Sequence, residues 1–219
     1  MSIAEFQKER AVDIALGGKY TLAKWLDPQG KPSTFACRTV RVSSHRMLID
    51  APVAGLVGNR VALYFRDFGH LAGVTSETTA DGFLCELEMT APQRKKFESK
   101  LVWLERKLKY PDIPDGRKDA RVVPVNPHST LILADGSTHR CFVIDMSVSG
   151  VAVSADVQPE FGMPLAVGAC VGRVVRIFDE GFAVKFVEPQ KREELDRLIT
   201  RAAPPPGAVA APLRLGAGR

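Results

Sequence analysis

Arg117 and Arg121 stand four residues apart, and 24 residues after Arg121 comes Asp145-x-Ser147-x-x-Gly150. A guanidinium can grip a phosphate through two parallel hydrogen bonds, donate to O6 and N7 of guanine, or lie flat on a purine face. Two such groups suit a ligand that carries phosphates and guanines. Guanine also presents donors at N1 and N2, so the Asp145 carboxylate, helped by the Ser147 hydroxyl, would accept from guanine and reject adenine. A glycine at 150 would let backbone approach a ligand with no Cβ in the way. Taken singly, an arginine pair is common on any charged surface, and the Asp-x-Ser-x-x-Gly run is often only a turn held by its own side chains. The combination, in order and at this spacing, carries the chemistry.

The elements that must position these residues are short and alternate in polarity. Thr34 to Val42, Arg60 to Phe65, Phe83 to Met89, Thr130 to Ala134, Arg140 to Asp145, Val151 to Ser154, Val171 to Phe178 and Phe182 to Val187 read as strands by period and by Val, Ile and Phe content. Turn residues separate them at 80–82, 134–137 and 179–181. Two helices are expected, each after a strand that runs into a Pro-Gln pair. The first spans about Pro92 to Lys109 with Phe97, Leu101, Leu104 and Leu108 on one stripe, and the second about Pro189 to Arg201 with Leu195, Leu198 and Ile199. A short amphipathic helix is also expected within Ile3 to Leu16, ended by Gly17-Gly18.

The two halves overlay. STFACRTVRVSSHRM matches STHRCFVIDMSVSGV, and PQRKKFESKLVWL matches PQKREELDRLI, with a strand, a Gly turn and a Phe-led strand between. Cys37 corresponds to Cys141 and Ser43 to Ser147, whereas Arg41 stands where the second copy has Asp145 and Arg46 where it has Gly150. Ordered elements repeating in this way indicate duplication. Residues 1–110 are expected to form one domain and 117–201 another. The Pro-, Gly- and charge-rich stretch 111–120 between them, which carries Arg117, is expected to be a linker. Residues 202–219 are nearly all Ala, Pro, Gly and Leu, and are expected to be a disordered tail.

An RxxxR pair followed by about 20 to 30 residues and DxSxxG, on short antiparallel strands with a terminal helix, resembles a PilZ domain. The resemblance covers residues 117 to about 200. It implies a mainly β protein made of two six-stranded antiparallel barrels in tandem, each followed by a C-terminal α-helix. It also implies a ligand, the bacterial second messenger cyclic di-GMP, with Arg117 and Arg121 on phosphate and guanine and with Asp145, Ser147 and Gly150 on guanine. Some members carry a further basic residue before the first arginine and take two stacked nucleotides. Here that position is Gly116, which implies one nucleotide, although Lys118 is close by. The first half resembles the same fold without the ligand residues and is expected to be a degenerate copy that takes no nucleotide. On this reading the chain is a cytoplasmic cyclic di-GMP receptor that changes its interdomain arrangement and signals to a protein partner in motility or exopolysaccharide and biofilm control. The alternative is a nucleotide-independent adaptor acting only through protein contacts.

The remaining features point away from other classes. At 219 residues, 45% hydrophobic and 25% charged, the chain can build packed domains, and its net charge of +5 favours anionic partners without the density of a dedicated nucleic-acid binder. Three tyrosines and two tryptophans, with no clustered aromatic and basic strand face, argue against nucleic acid. No apolar run approaches the ~18 residues of a membrane span, and MSIAEFQKER carries charge where an export signal keeps its apolar stretch. Cys37, Cys85, Cys141 and Cys170 form no CxxC pair, and His45, His70, His128 and His139 share no metal-ligand spacing. No nucleophile, acid and base set presents itself, so neither an enzyme nor a metal or other cofactor is expected.

Overall fold

The computed structural model describes residues 3–26, 30–108 and 122–200. The linker 111–120 with Arg117, the second arginine Arg121, and the tail 202–219 lie outside the described residues.

The first half is a closed antiparallel barrel. It comprises β2 (Gly17–Leu26), β3 (Pro32–Val42), β4 (Arg46–Asp50), β5 (Arg60–Phe65), β6 (Gly69–Thr78) and β7 (Gly82–Leu87), paired in the order β3-β2-β5-β6-β7-β4 and closed by β3 against β4. A helix, α1 (Ile3–Phe6), and a two-residue strand, β1 (Val12–Asp13), precede it, and β1 pairs with the end of β3. The second half repeats the ring with β8 (His128–Leu133), β9 (Thr138–Ser147), β10 (Gly150–Ala155), β11 (Pro164–Val167), β12 (Cys170–Phe178) and β13 (Gly181–Phe186), in the order β10-β13-β12-β11-β8-β9. Strand for strand the connectivity is the same. RVALYF in β5 shows why these sequences close into barrels: buried and exposed residues alternate along it without exception.

The duplication extends to irregularities. β3 slips against β4 between Thr39 and Arg41, and β9 slips against β10 at the matching place, where Val143 and Asp145 pair with Val153 and Ala152. A second bulge falls after Thr75 in β6 and after Val174 in β12. Such bulges bend a strand enough to close a small barrel. Gly82 and Gly181, which open β7 and β13, are both glycines for one reason: a Cβ there would run into the carbonyl oxygen of Ile49 or of Val153 on the neighbouring strand.

Each barrel has its own core and its own helix. Tyr20, Leu22, Phe35, Met47, Phe65 and Phe83 fill the first, and α2 (Ala91–Leu108) adds Phe97, Leu101 and Leu104 to it, the stripe read from the sequence. Leu131, Met146, Val153, Phe182 and Val184 fill the second, with Leu195 and Ile199 from α3 (Leu195–Ile199). The expected second helix is shorter than its apolar spacing suggested: residues 192–194 form a 3-10 turn and only 195–199 are α-helical. The expected N-terminal helix is likewise reduced to α1, because Val12 and Asp13 extend to pair with Val42 and Arg41. Gly17-Gly18 opens β2 instead of ending a helix.

The barrels meet along β3, which packs against β9, β10 and β13. Trp25 Nε1 donates to Asp156 Oδ1 at 2.7 Å, and the Ala36 amide donates to Ser154 Oγ at 3.0 Å. Arg140 reaches back to Asp81 at 2.9 Å. Trp25 is thus an interface residue, whereas Trp103 stands 54% exposed on α2.

Candidate ligand-binding site

Asp145 and Ser147 close β9 and Gly150 opens β10, so the three candidate residues flank one two-residue turn, Val148-Ser149. Asp145 is partly exposed and pairs across the ladder with Ala152, directly after the bulge. The turn is pinned from both sides. Phe186 donates its amide to Ser149 O at 3.0 Å, and Gln190 donates to Val148 O at 2.7 Å. Ser147 Oγ lies 3.2 Å from Ser149 Oγ and 3.4 Å from Gly150 O. Ser149, which sequence reasoning passed over, therefore belongs to the same polar rim. One more strand segment reaches it: Val122 and Met146 exchange backbone hydrogen bonds of 2.8 and 2.9 Å as an antiparallel bridge. Met146 separates Asp145 from Ser147, and Val122 is the residue that follows Arg121 in the chain. Arg117 and Arg121 themselves lie outside the described residues.

Gly150 has a structural reason of its own. A Cβ on it would meet the carbonyl oxygen of Val184 on β13, so the barrel wall already calls for glycine there. Ser147 has a turn-holding counterpart. In the first barrel Ser43 Oγ accepts from the amides of His45 at 3.2 Å and Arg46 at 3.0 Å, a side-chain cap on the equivalent turn. What sets the second copy apart is Asp145.

The equivalent rim of the first barrel is built on the same backbone. Leu87 donates to His45 O at 2.7 Å, as Phe186 does to Ser149 O, and the Arg94 guanidinium donates to Ser44 O at 2.8 Å where Gln190 serves Val148. β1 fills the place of Val122, since Val12 pairs with Val42 as Val122 pairs with Met146. The side chains are inverted in charge. Arg41 pairs with Asp13 at 2.7 Å and also donates to Glu9 O, and Arg46 pairs with Glu9 at 2.7 Å. Both guanidinium groups face the fully buried Phe6 ring, 5.9 and 5.5 Å from its centre. An aromatic ring and two carboxylates of the chain's own N-terminal segment thus occupy the strand end. Beside it a cleft of about 410 Å³ remains, lined by Glu9, His45, Arg46, Glu86, Leu87 and Arg94.

Other reactive groups are set aside from this rim. All four cysteines are buried, and none is in a disulfide. Burial pushes the Cys37 thiol well up and the Cys85 thiol up to about 12, so neither is a thiolate near neutral pH. Among the described residues no group of His, Cys, Asp and Glu is arranged to hold a metal ion. Among them, too, no helix is long and apolar enough to cross a membrane.

The PilZ domain family model matches residues 115–201. The second barrel is a PilZ domain, and the first is a PilZ-like barrel that repeats its strand order. Among solved structures, the PlzA protein of Borreliella burgdorferi in complex with c-di-GMP is similar at 10% identity over 90% of this chain and 94% of that one, with a TM-score of 0.29. The Bacillus subtilis inhibitor of motility, MotI/DgrA, is similar at 13% identity over 86% and 94%, with a TM-score of 0.28. YcgR of Escherichia coli in complex with c-di-GMP is similar at 12% identity over 83% and 80%, with a TM-score of 0.27. No curated protein sequence matches the chain.

Proposed function

We propose that this protein is a cytoplasmic receptor for cyclic di-GMP that binds the dinucleotide on its second barrel and takes part in no catalysis. The observation that supports the reading is the Val122–Met146 bridge, in which the residue after Arg121 pairs with the residue that separates Asp145 from Ser147. Arg117 and Arg121 then serve phosphate and guanine, Asp145 and Ser147 accept from the guanine edge, and Gly150 keeps the rim low. One dinucleotide is taken up, because Gly116 supplies no further cation before the first arginine. The first barrel takes none. Arg41 would repel the donor edge of guanine, and the strand end already holds Phe6, Glu9 and Asp13.

Binding changes the arrangement of the two barrels relative to each other. The signal passes to a protein partner through the surface so exposed or hidden, a population shift driven by differential affinity. Control of motility, or of exopolysaccharide and biofilm, is the process this supports.

Calorimetry of cyclic di-GMP against the whole chain tests the reading. Arg121→Ala removes charge-assisted hydrogen bonds worth about 1.5 to 3 kcal/mol each, so its affinity should fall at least about tenfold. Equal binding by this variant would remove the site assignment, and no binding by the wild type would leave a nucleotide-independent adaptor. Solution scattering of the free and saturated protein reads the interdomain change.

A further inference from the structure

The inner side of α2 is fixed to the first barrel, so its outer side is fixed as well. Phe97, Leu101 and Leu104 are buried in the core, and the Phe97 ring lies against Phe68 with 4.6 Å between centres. At the start of the helix Gln93 Oε1 accepts from the Thr90 amide at 2.9 Å and from its hydroxyl at 3.0 Å. Arg94 ties the first turn down by donating to Ser44 O at 2.8 Å and to Met89 O at 3.3 Å. At ~100° per residue, the arc opposite the buried stripe runs from Val102 through Lys95, Arg106, Trp103 and Lys96 to Lys100. It covers about 160° of the helix, and every charged residue in it is a cation. Glu98 and Glu105 fall beyond its edge, on the side of Arg94.

Lys95, Lys96, Lys100 and Arg106 are all exposed, and so are Val102 at 42% and Trp103 at 54%. Such a face suits an anionic surface, and its composition selects which one. A protein interface buries an apolar core and is depleted in lysine, whereas three of these four cations are lysines around a single apolar pair. Readout of a nucleic-acid groove sets Asn and Gln as well as Arg against base edges, and the arc holds neither amide. A layer of anionic lipid headgroups asks for no such groups. It attracts point charges carried on flexible stems, and it seats an indole with its apolar body among the headgroups and its N–H wet. The 18 residues of α2 make a rod about 27 Å long, so the cations meet a flat layer along a line.

We propose that the outer face of α2 docks on an anionic membrane surface, with Lys95, Lys96, Lys100 and Arg106 on the headgroups and Trp103 seated among them. The apolar stripe of α2 stays in the barrel, so nothing inserts deeply and the contact is peripheral, reversible and sensitive to salt. The proposal is independent of the receptor reading, because it uses no nucleotide and no residue of the second barrel. It gives the first barrel a role of its own, that of placing the protein at a membrane.

Sedimentation of the whole chain with lipid vesicles tests this. Phosphatidylcholine vesicles with about 30% phosphatidylserine should bind the chain at about 0.05 M salt and release it at about 0.5 M, and phosphatidylcholine alone should not bind it. Lys96→Glu with Lys100→Glu should weaken binding at least about thirtyfold. Lys191→Glu with Arg192→Glu makes the same change in net charge on the second barrel and should leave binding intact. All four positions are exposed, so neither variant disturbs a core. Lipids brominated near the headgroup give a second readout. They should quench the wild type but not Trp103→Ala, whose remaining tryptophan is Trp25 at the barrel interface. No binding, equal binding to both kinds of vesicle, equal losses in the two charge variants, or quenching that survives Trp103→Ala overturns the proposal. Tighter binding to poly-glutamate or to a duplex oligonucleotide, lost in the Lys96→Glu, Lys100→Glu variant, overturns it too and makes the occupant an acidic protein or a nucleic acid. Calorimetry with cyclic di-GMP stands apart from all of these outcomes, so the receptor reading and the membrane contact fail separately.

Discussion

The ends of β3 and β9 have one backbone and opposite chemistry. Both strands slip at the same bulge, each has a serine at the start of its turn, and both turns are pinned by the neighbouring strand, β7 or β13. At β9 the strand carries the acid and the preceding segment carries arginines. At β3 the strand carries Arg41 and Arg46, and the preceding segment carries Glu9 and Asp13. The first barrel's strand end is thus occupied by ion pairs within its own chain. Phe6 completes the contrast, since its ring lies against both guanidinium groups. The duplicated fold thus keeps the backbone of this strand end while its charges are exchanged.

The largest effect in this comparison should come from emptying the filled site. Phe6 is fully buried, and Phe6→Ala should cost about 3 kcal/mol of stability in the first barrel. Chemical denaturation that resolves the two barrels should show the loss in the first alone. A loss of less than about 0.5 kcal/mol would mean that the ring rests on the strand end without sealing it. Next comes the reverse experiment, which gives the second barrel the chemistry of the first. Asp145→Arg sets a cation against the guanine donor edge and should weaken cyclic di-GMP binding at least about a hundredfold, or ~2.7 kcal/mol. Its thermal midpoint should stay close to that of the wild type, because Asp145 is only partly buried. Gly150→Arg would not be a clean counterpart, since its Cβ would meet Val184 O whether or not a ligand binds.

Much of this contrast was legible in the sequence. The alignment of Cys37 with Cys141 fixes the register of the two strand ends, and it correctly sets Arg41 against Asp145 and Arg46 against Gly150. β2, β4 and β11 were not anticipated, and β6 entered only through the overlay of the halves, without bounds. GGKYTLAKWL and GHLAGVTSET carry glycines, and RMLID and PLAV are too short for alternation to stand out; neighbouring strands, not their own composition, make them extend. The N-terminal segment was misread for a similar reason. Its apolar spacing suits a helix, but pairing of Val12 and Asp13 with β3 wins, and the partners of Phe6 and Glu9 lie more than 30 residues away. Arg38 left no local signal, because the carbonyls it donates to lie 86 and 87 residues away, at Pro124 and Val125.

A smaller effect distinguishes the cross-strand pairs at the interface, Arg38–Asp50 in one barrel and Phe142–Ser154 in the other. The Asp50 pKa is raised by burial to about 6 from an ordinary 3.8, so the folded chain holds that proton more tightly than the unfolded chain does. Stability contributed by protonated Asp50 is complete below about pH 4 and is lost as pH rises through about 6. Asp50→Asn should remove this decline. The wild type should lose about 1 kcal/mol more than the variant between pH 4 and pH 7, a figure reduced for the partial exposure of Asp50. Parallel stability curves would show that Arg38 compensates Asp50 fully, contrary to the geometry.

The smallest effects divide the self-filled site internally. Glu9 and Arg46 are 23% and 11% exposed in their side chains, whereas Asp13 is 76% exposed beside Arg41, although both ion pairs measure 2.7 Å. Distance alone would rank them equal. Water screens the outer pair, and an exposed ion pair is worth about 0 to 1 kcal/mol, so Asp13→Asn should change stability by a few tenths. Glu9→Gln leaves the Arg46 guanidinium partly desolvated with a neutral partner and should cost about 1 kcal/mol, more than its outer neighbour. Equal losses would place the discriminating contact in the Phe6 ring, which both arginines share, and would make the carboxylates incidental to the filling of this strand end.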